Sequence, residues 1–342
     1  MKKFLALILA LAMALSLVAC GSNNNGNDNS NDNSNDNSGT TTKQLRFVTG
    51  GESGTYYGFG SVIATHATNN AGVSVVALSS DGSKANVFSL EENEAELGFC
   101  QSDVMAYAYN GTNIFADSGK VDCFSVLGAL YTEQVQIVTT NPDIKSVADL
   151  EGKSVSVGAP ASGVYFNAVD ILSAYGIGDL DADGKFTKIN ATYQSFGDSA
   201  DALKNGQIDA AFIVAGAPTT AVADLATTKS VNLVSLDDEH IEKLLASSPY
   251  YTKCVIPAET YNMAADVTTV GVGAVVLVRD DVSEDAVYAL CADIFDNASS
   301  LVDTHAKYGE VTLEYGASMT AVPYHAGAAK YFAEKGFTVP AK

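Results

Sequence analysis

The chain has 342 residues, 47% of them hydrophobic and 17% charged, and 40 acidic against 19 basic side chains leave a net charge of -21. That acidity argues against a nucleic-acid partner, whose phosphates need basic patches, and against electrostatic docking on an anionic membrane. Its plain consequence is solubility.

At the start, Lys2 and Lys3 precede an apolar run over residues 4–17. The run is shorter than the roughly 20 residues that span a bilayer. A charged start and a short apolar core are the marks of a secretory signal. Leu17-Val18-Ala19-Cys20-Gly21 resembles the lipobox of bacterial lipoproteins, which implies a signal peptide over 1–20 and acylation of Cys20. An ordinary signal peptide with a coincidental cysteine is the alternative. Two acyl chains anchor stably where one does not. Residues 21–43 follow, almost wholly Asn, Asp, Ser, Gly and Thr. With nothing apolar to bury, such a stretch is expected to be a disordered linker. A coil of this length reaches about 25 Å on average and roughly 70 Å at full stretch.

From residue 44 onward strands alternate with helices. Strands are predicted over 45–49, 73–77, 95–100, 154–157 and 210–214. Helices are predicted over 59–68, 83–90, 102–109, 164–174 and 198–203. This alternation implies mostly parallel sheets covered on both sides. Two apolar segments are unusually long, 124–140 and 267–278, and both read as strands. Segments like these suit strands that cross between two lobes, although two ordinary core strands fit the pattern as well. The expected organisation is lobe 1 from 44–132 with 268–342, and lobe 2 from 133–267.

Ligands of such sheets bind beyond the carboxyl ends of strands. The loop over 50–57 lies between a strand and a helix, and its glycines allow a ligand close to the backbone. The helix start offers free N–H groups to an anion. Thr49, Gly51, Ser53, Gly54, Thr55 and Tyr56 are its candidate contacts, with Tyr57 beside them. The loop over 158–163 repeats the arrangement, with Ser162, Gly163, Val164 and then Asn167. Gln101 and Ser102 follow a strand and open a helix; Ser102 is placed to cap that helix, and Gln101 is the better candidate contact. Ala215 and Gly216 end the strand over 210–214. Neither glycine loop holds Lys or Arg, so the expected ligand carries an anionic group held by neutral donors. A neutral sugar stacked on tyrosines is the rival. The two arginines, Arg46 and Arg279, lie within or just after strands.

Phe47-Val48-Thr49-Gly50-Gly51-Glu52-Ser53-Gly54-Thr55-Tyr56-Tyr57 resembles the opening of the TAXI family, receptor subunits of a branch of TRAP transporters. Segments 96–103, 146–153, 156–163, 208–212 and 249–252 match that family in order. None is specific alone; the ordered set covers the folded region. The resemblance implies a two-lobed, type II-like periplasmic-binding-protein fold with the ligand between the lobes. It also implies a TRAP permease as partner and a small carboxylate such as glutamate, glutamine or an oxoglutarate-like acid as ligand. The expected place is the outer face of the cell membrane, held by a lipid anchor.

Enzymatic signatures are missing from the sequence. His66, His240, His305 and His325 form no HExxH, and there is no GxSxG elbow, P-loop or Rossmann turn. No cofactor is expected. Asp179, Asp181 and Asp183 copy half of an EF-hand loop, but Asn190 stands where the bidentate Glu belongs; an acidic surface turn is the reading preferred over calcium. Cys100, Cys123, Cys254 and Cys291 match no zinc pattern, and the sequence leaves open whether they pair. A sensory or adhesive lipoprotein that binds a ligand without a permease is the alternative function.

Overall fold

The computed structural model describes residues 44–342. The expected signal peptide, Cys20 and the linker over 21–43 lie outside the described residues. No helix among the described residues is long and apolar enough to cross a membrane.

The elements run β1 (Leu45–Val48), α1 (Thr55–His66), β2 (Val75–Leu78), α2 (Ser83–Glu91), β3 (Leu97–Gln101), α3 (Ser102–Asn110) and β4 (Phe124–Thr139). Then come β5 (Ser154–Ser156), α4 (Gly163–Ala174), β6 (Asn190–Thr192), α5 (Phe196–Lys204), β7 (Ala210–Ala215), α6 (Thr220–Ala226), β8 (Asn232–Leu233), α7 (Asp238–Ser247) and β9 (Thr252–Ile256). The chain closes with β10 (Val267–Arg279), α8 (Glu284–Asp296), α9 (Leu313–Gly316) and α10 (Ala326–Glu334).

One sheet holds all the strands, in the order β2-β1-β3-β10-β4-β7-β5-β6, with β8 on β4 and β9 on β10. Parallel pairing, as strand–helix alternation requires, is confined to its two ends, β2-β1-β3 and β7-β5-β6. The two long strands are antiparallel to each other and to their other neighbours. A strand that returns the chain from the other end of the sheet has to run against the strands it joins.

Both long strands are dense in β-branched and small residues, which fit a pleated surface buried on both faces. They run through more than one apolar core. The first core packs Phe47, Phe59, Leu90 and Phe99 against Phe124–Tyr131 of β4, Ala274–Val278 of β10 and the C-terminal helices. A second core holds Val135 and Ile137 of β4 with Ile171, Leu172, Phe212, Val270 and Val272. A third covers the opposite sheet face at Val138, Leu203, Ile213, Val222 and Val267. Each core draws on both long strands, so those strands set how the halves lie.

Helix starts follow capping chemistry where the helix serves packing alone. Ser283 Oγ accepts from the Ala286 amide at 3.3 Å, and Glu284 and Asp285 occupy the favourable first turn of α8. Asp237 caps α7 in the same way.

Leu277 is fully buried in β10, within the first core. Leu277→Ala should cost about 2–5 kcal/mol of stability, from lost burial and the cavity left behind. Urea unfolding of both proteins measures it; an unchanged midpoint would contradict the shared role of β10.

Candidate ligand-binding site

Four helices begin at one cavity. Gly54 precedes α1, Gly82 precedes α2, Ser162 precedes α4 and Ser195 precedes α5. All four of these residues line a cavity of about 120 Å³. The first N–H groups of an α-helix have no partner within it. No side chain caps them at α1, α2 or α4. Gly54 and Gly82 have no side chain to offer, and Ser162 Oγ donates instead to the Ala159 carbonyl at 2.7 Å. Only Ser195 acts as a cap, accepting from the Asp198 amide at 3.2 Å. Three N-termini without a side-chain cap therefore bring positive dipole ends to the same space, although in α2 the Ala85 amide is taken by the Ala161 carbonyl.

The rest of the lining comprises Gly50, Gly51, Thr55, Tyr56, Ser80, Asp81, Ser83, Gln101, Glu133, Ala159, Gly163, Val164, Gln194, Phe196, Val214 and Ala215. None of these is Lys, Arg or His. The carboxyl of Glu133 is the deep charge. It stands in β4 where that strand passes from the first core to the second, and it is 2% exposed. Gln101 Nε2 donates to Glu133 Oε2 at 3.2 Å. Burial pushes the Glu133 carboxyl up to about 8, outweighing the lowering effects of Gln101 and Tyr56. The other carboxamide atom, Gln101 Oε1, is buried without a hydrogen-bond partner. Gln101 lies tight against the start of α4: a Cβ on Gly163 would come 1.7 Å from Gln101 Oε1. No side chain fits at position 163 unless Gln101 moves.

Contacts between the two sides surround the cavity. Thr55 Oγ1 donates to the Gly216 carbonyl at 2.8 Å, and the Ala221 amide donates to the Ser53 carbonyl at 3.1 Å. The Ala85 amide of α2 donates to the Ala161 carbonyl at 3.2 Å. Below them, Asn167 Nδ2 donates to Asp103 Oδ2 at 3.0 Å and to Tyr251 Oη at 2.9 Å. Tyr251 in turn donates to Asp170 at 2.9 Å. Burial raises the Asp103 carboxyl to about 6, although the Val104 amide and Asn167 act to lower it.

A model of the NMT1-like family matches residues 47–336. The chain belongs to the NMT1-like family. Solved structures similar to this NMT1-like protein include the periplasmic aliphatic sulphonate binding protein SsuA from Escherichia coli, 16% identical with a TM-score of 0.43 over 85% of this chain and 90% of that one. Another is the GluR0 ligand-binding core from Nostoc punctiforme in complex with L-glutamate, 14% identical with a TM-score of 0.43 over 78% and 95%. A third is the substrate binding protein of an amino acid ABC transporter, 13% identical with a TM-score of 0.44 over 78% and 96%. The chain itself is a mixed α/β fold whose two parallel strand groups are joined in the sheet through the antiparallel pair β4 and β10.

Of the residues singled out from the sequence, Gly51, Gly54, Thr55, Tyr56, Gln101, Ser162, Gly163, Val164 and Ala215 line the cavity. The others sit elsewhere in this NMT1-like chain for identifiable reasons. Thr49 is turned to the Leu78 carbonyl at 2.7 Å. Ser53 packs beside Gly197. Ser102 does not cap α3; Gln101 holds the cap position, and Ser102 Oγ accepts from the Gly273 amide of β10 at 3.0 Å. Asn167 turns its Nδ2 to Asp103 and Tyr251, and Gly216 serves through its carbonyl. Sequence reasoning missed Glu133, the segment Ser80–Ser83 and the residues Gln194–Phe196. Arg46 pairs with Glu96 at 2.9 Å and Arg279 with Asp281 at 2.5 Å, away from the cavity.

Among the described residues, Cys100, Cys123, Cys254 and Cys291 are free. The acidic loop at 179–185 is a turn in which Asp181 Oδ1 accepts from the Asp183 and Lys185 amides at 2.9 Å each. Among the described residues no cluster of three or more His, Cys, Asp or Glu is arranged to hold a metal.

Glu133 makes ligand-free stability depend on pH. Its carboxyl titrates near 4.5 when unfolded and near 8 when folded. Between those values the folded chain holds a proton that the unfolded chain has lost, so stability falls as pH rises and levels off above the folded value. Asp103 acts in the same direction only up to about 6. Urea midpoints should therefore drop between about pH 6.5 and about pH 8.5, and Glu133→Gln should remove most of that drop. An equally steep decline in the variant would refute the assignment.

Proposed function

We propose that this protein is an extracytoplasmic solute receptor: it closes on a small organic acid and delivers it to a membrane permease. The observation that carries this reading is the meeting of four helix N-termini at one cavity whose lining has no basic side chain. Bare amides at helix starts bind a carboxylate without a titratable or mobile partner. The lining comes from both sides of the crossing strands, as a ligand that closes two lobes requires. The lobes are residues 44–132 with 268–342, and residues 133–267, with the hinge in β4 and β10.

The finer identity rests on sequence. The ordered segments that resemble the TAXI family favour a TRAP-type permease over other partners and a ligand such as glutamate, glutamine or an oxoglutarate-like acid. Lys2, Lys3, the apolar run and the lipobox-like Cys20 favour a lipid-anchored protein on the outer face of the membrane. Binding and handing over a solute needs no chemistry, and we assign no catalytic residue.

Thermal shift against dicarboxylates, amino acids, sugars and simple cations tests the ligand class. A ligand at 100 times its dissociation constant adds about 2.7 kcal/mol. Stabilisation by acids is expected; stabilisation by sugars or cations alone would overturn the reading. Small-angle scattering tests the motion. Ligand should shift the population toward a more compact form, and an unchanged radius at saturation would count against closure.

A further inference from the structure

Two hydrogen-bond acceptors in the cavity are left without a cation. Glu133 and Gln101 are each 2% exposed, and both line the space where the helices begin. Gln101 gives its Nε2 hydrogens to Glu133 and keeps Oε1 buried without a partner. Among the described residues no salt bridge involves Glu133. Lys307, whose charge favours ionisation of Glu133, is bonded to Glu310 and lies over the Tyr131 ring, 5.5 Å from its centroid. A buried acceptor without a partner costs free energy, and burial keeps the neighbouring Glu133 carboxyl largely protonated near neutrality. A donor that can meet a carboxylate and a carbonyl together is an ammonium.

We propose that Glu133 and Gln101 Oε1 form a subsite for a primary ammonium group on the ligand, so that the receptor selects amino acids over the corresponding deaminated acids. The inference rests on the reading of this cavity as the seat of a carboxylate ligand, and it divides the work. The uncapped helix starts take the carboxylate, and the acceptor pair takes the ammonium at the other end of the zwitterion. Gly163 is part of the device, because only glycine there lets the carboxamide lie against α4.

Ammonium binding favours the ionised form of Glu133. The groups that face it act in both directions. Tyr56 of α1 and Gln101 of β3 favour ionisation, as does Lys307, while Asp103 of α3 opposes it. Tyr131 of β4, Tyr315 of α9 and Cys100 of β3 stand near and feel its charge. Burial leaves the carboxyl largely protonated near neutrality in the empty protein. Seating an ammonium ion therefore expels a proton from Glu133 to solvent, and no other bond is made or broken.

Isothermal titration calorimetry of the folded protein with L-glutamate, glutarate and butylamine tests this. Wild type should bind L-glutamate at least about tenfold more tightly than glutarate, the scale of a hydrogen bond to a charged group. At neutral pH, repeats in buffers of different ionisation enthalpy should show proton release with L-glutamate and none with glutarate. Glu133→Gln keeps the shape and the neutral charge of the apo site. It should bring L-glutamate down to the glutarate level while leaving glutarate within about threefold of wild type. Glutarate binding as tightly as L-glutamate, or equal losses for both in the variant, would overturn the subsite. Binding of butylamine alone, lost in Glu133→Gln, would uphold the subsite and overturn the carboxylate reading. Binding of none of the three at millimolar concentration would overturn both.

Discussion

The antiparallel pairing of β4 with β10 is the constraint on which the other features depend. Its register runs from Phe124 opposite Arg279 to Gln134 opposite Gly271, with two irregularities on the way. These strands come from positions more than a hundred residues apart, and everything in the second and third cores folds between them. Neither the parallel group at β2-β1-β3 nor the one at β7-β5-β6 joins the other except through this pair. Such long-range pairing is slow to form, because the chain loses loop entropy before the contacts repay it. Close approach is enforced by glycine: a Cβ on Gly271 would come 2.7 Å from the Glu133 carbonyl oxygen. The point where the strands pass is thus also the point where Glu133 is held.

An acidic chain that is to bind an acid, as proposed, must keep its own charges away from the site or neutralise them. Both strategies are visible. Arg46, Arg279 and Lys307 are committed to Glu96, Asp281 and Glu310, so the basic groups are not offered to the cavity. Glu133, the carboxyl inside it, is kept largely protonated by burial. What remains is backbone: fixed dipoles that lose no side-chain entropy when they bind and that do not titrate. A guanidinium clamp would hold a carboxylate with two charge-assisted bonds, but it would also leave a strong cation buried in the empty protein.

Local pattern carried the sequence reading far. The long strands over 124–140 and 267–278 and the helix start after Ser162 depend on near neighbours, and composition shows them. The first helix begins at Thr55 and not at 59, because the glycine loop ends one residue before the helix and leaves no polar cap to mark the boundary. What pattern could not show is which way a side chain faces once strands are paired. Thr49 and Asn167 look like loop hydroxyl and helix-start amide, yet the Thr49 hydroxyl and the Asn167 Nδ2 are turned to partners distant in sequence, Leu78 and Asp103. Glu133 was invisible for the opposite reason: an apolar strand hides one acid, and only the fold places Gln101 beside it. The one available signal was an ionisable residue within an apolar run, which is costly unless it has a use.

Gln101 and Gly163 meet from opposite sides of the cavity, and one occupies the room the other lacks. The two positions therefore behave as a single unit of variation. A methyl group at 163 is a clash while Gln101 is present and a harmless filling once a smaller residue stands at 101. Judged one at a time, changes at either site look worse than they are together, since residues in contact do not contribute additively. A side chain at 163 is accommodated most easily after a smaller residue has appeared at 101, since otherwise Gln101 has to move. The effect of each substitution, and not only their sum, depends on a missing β-carbon.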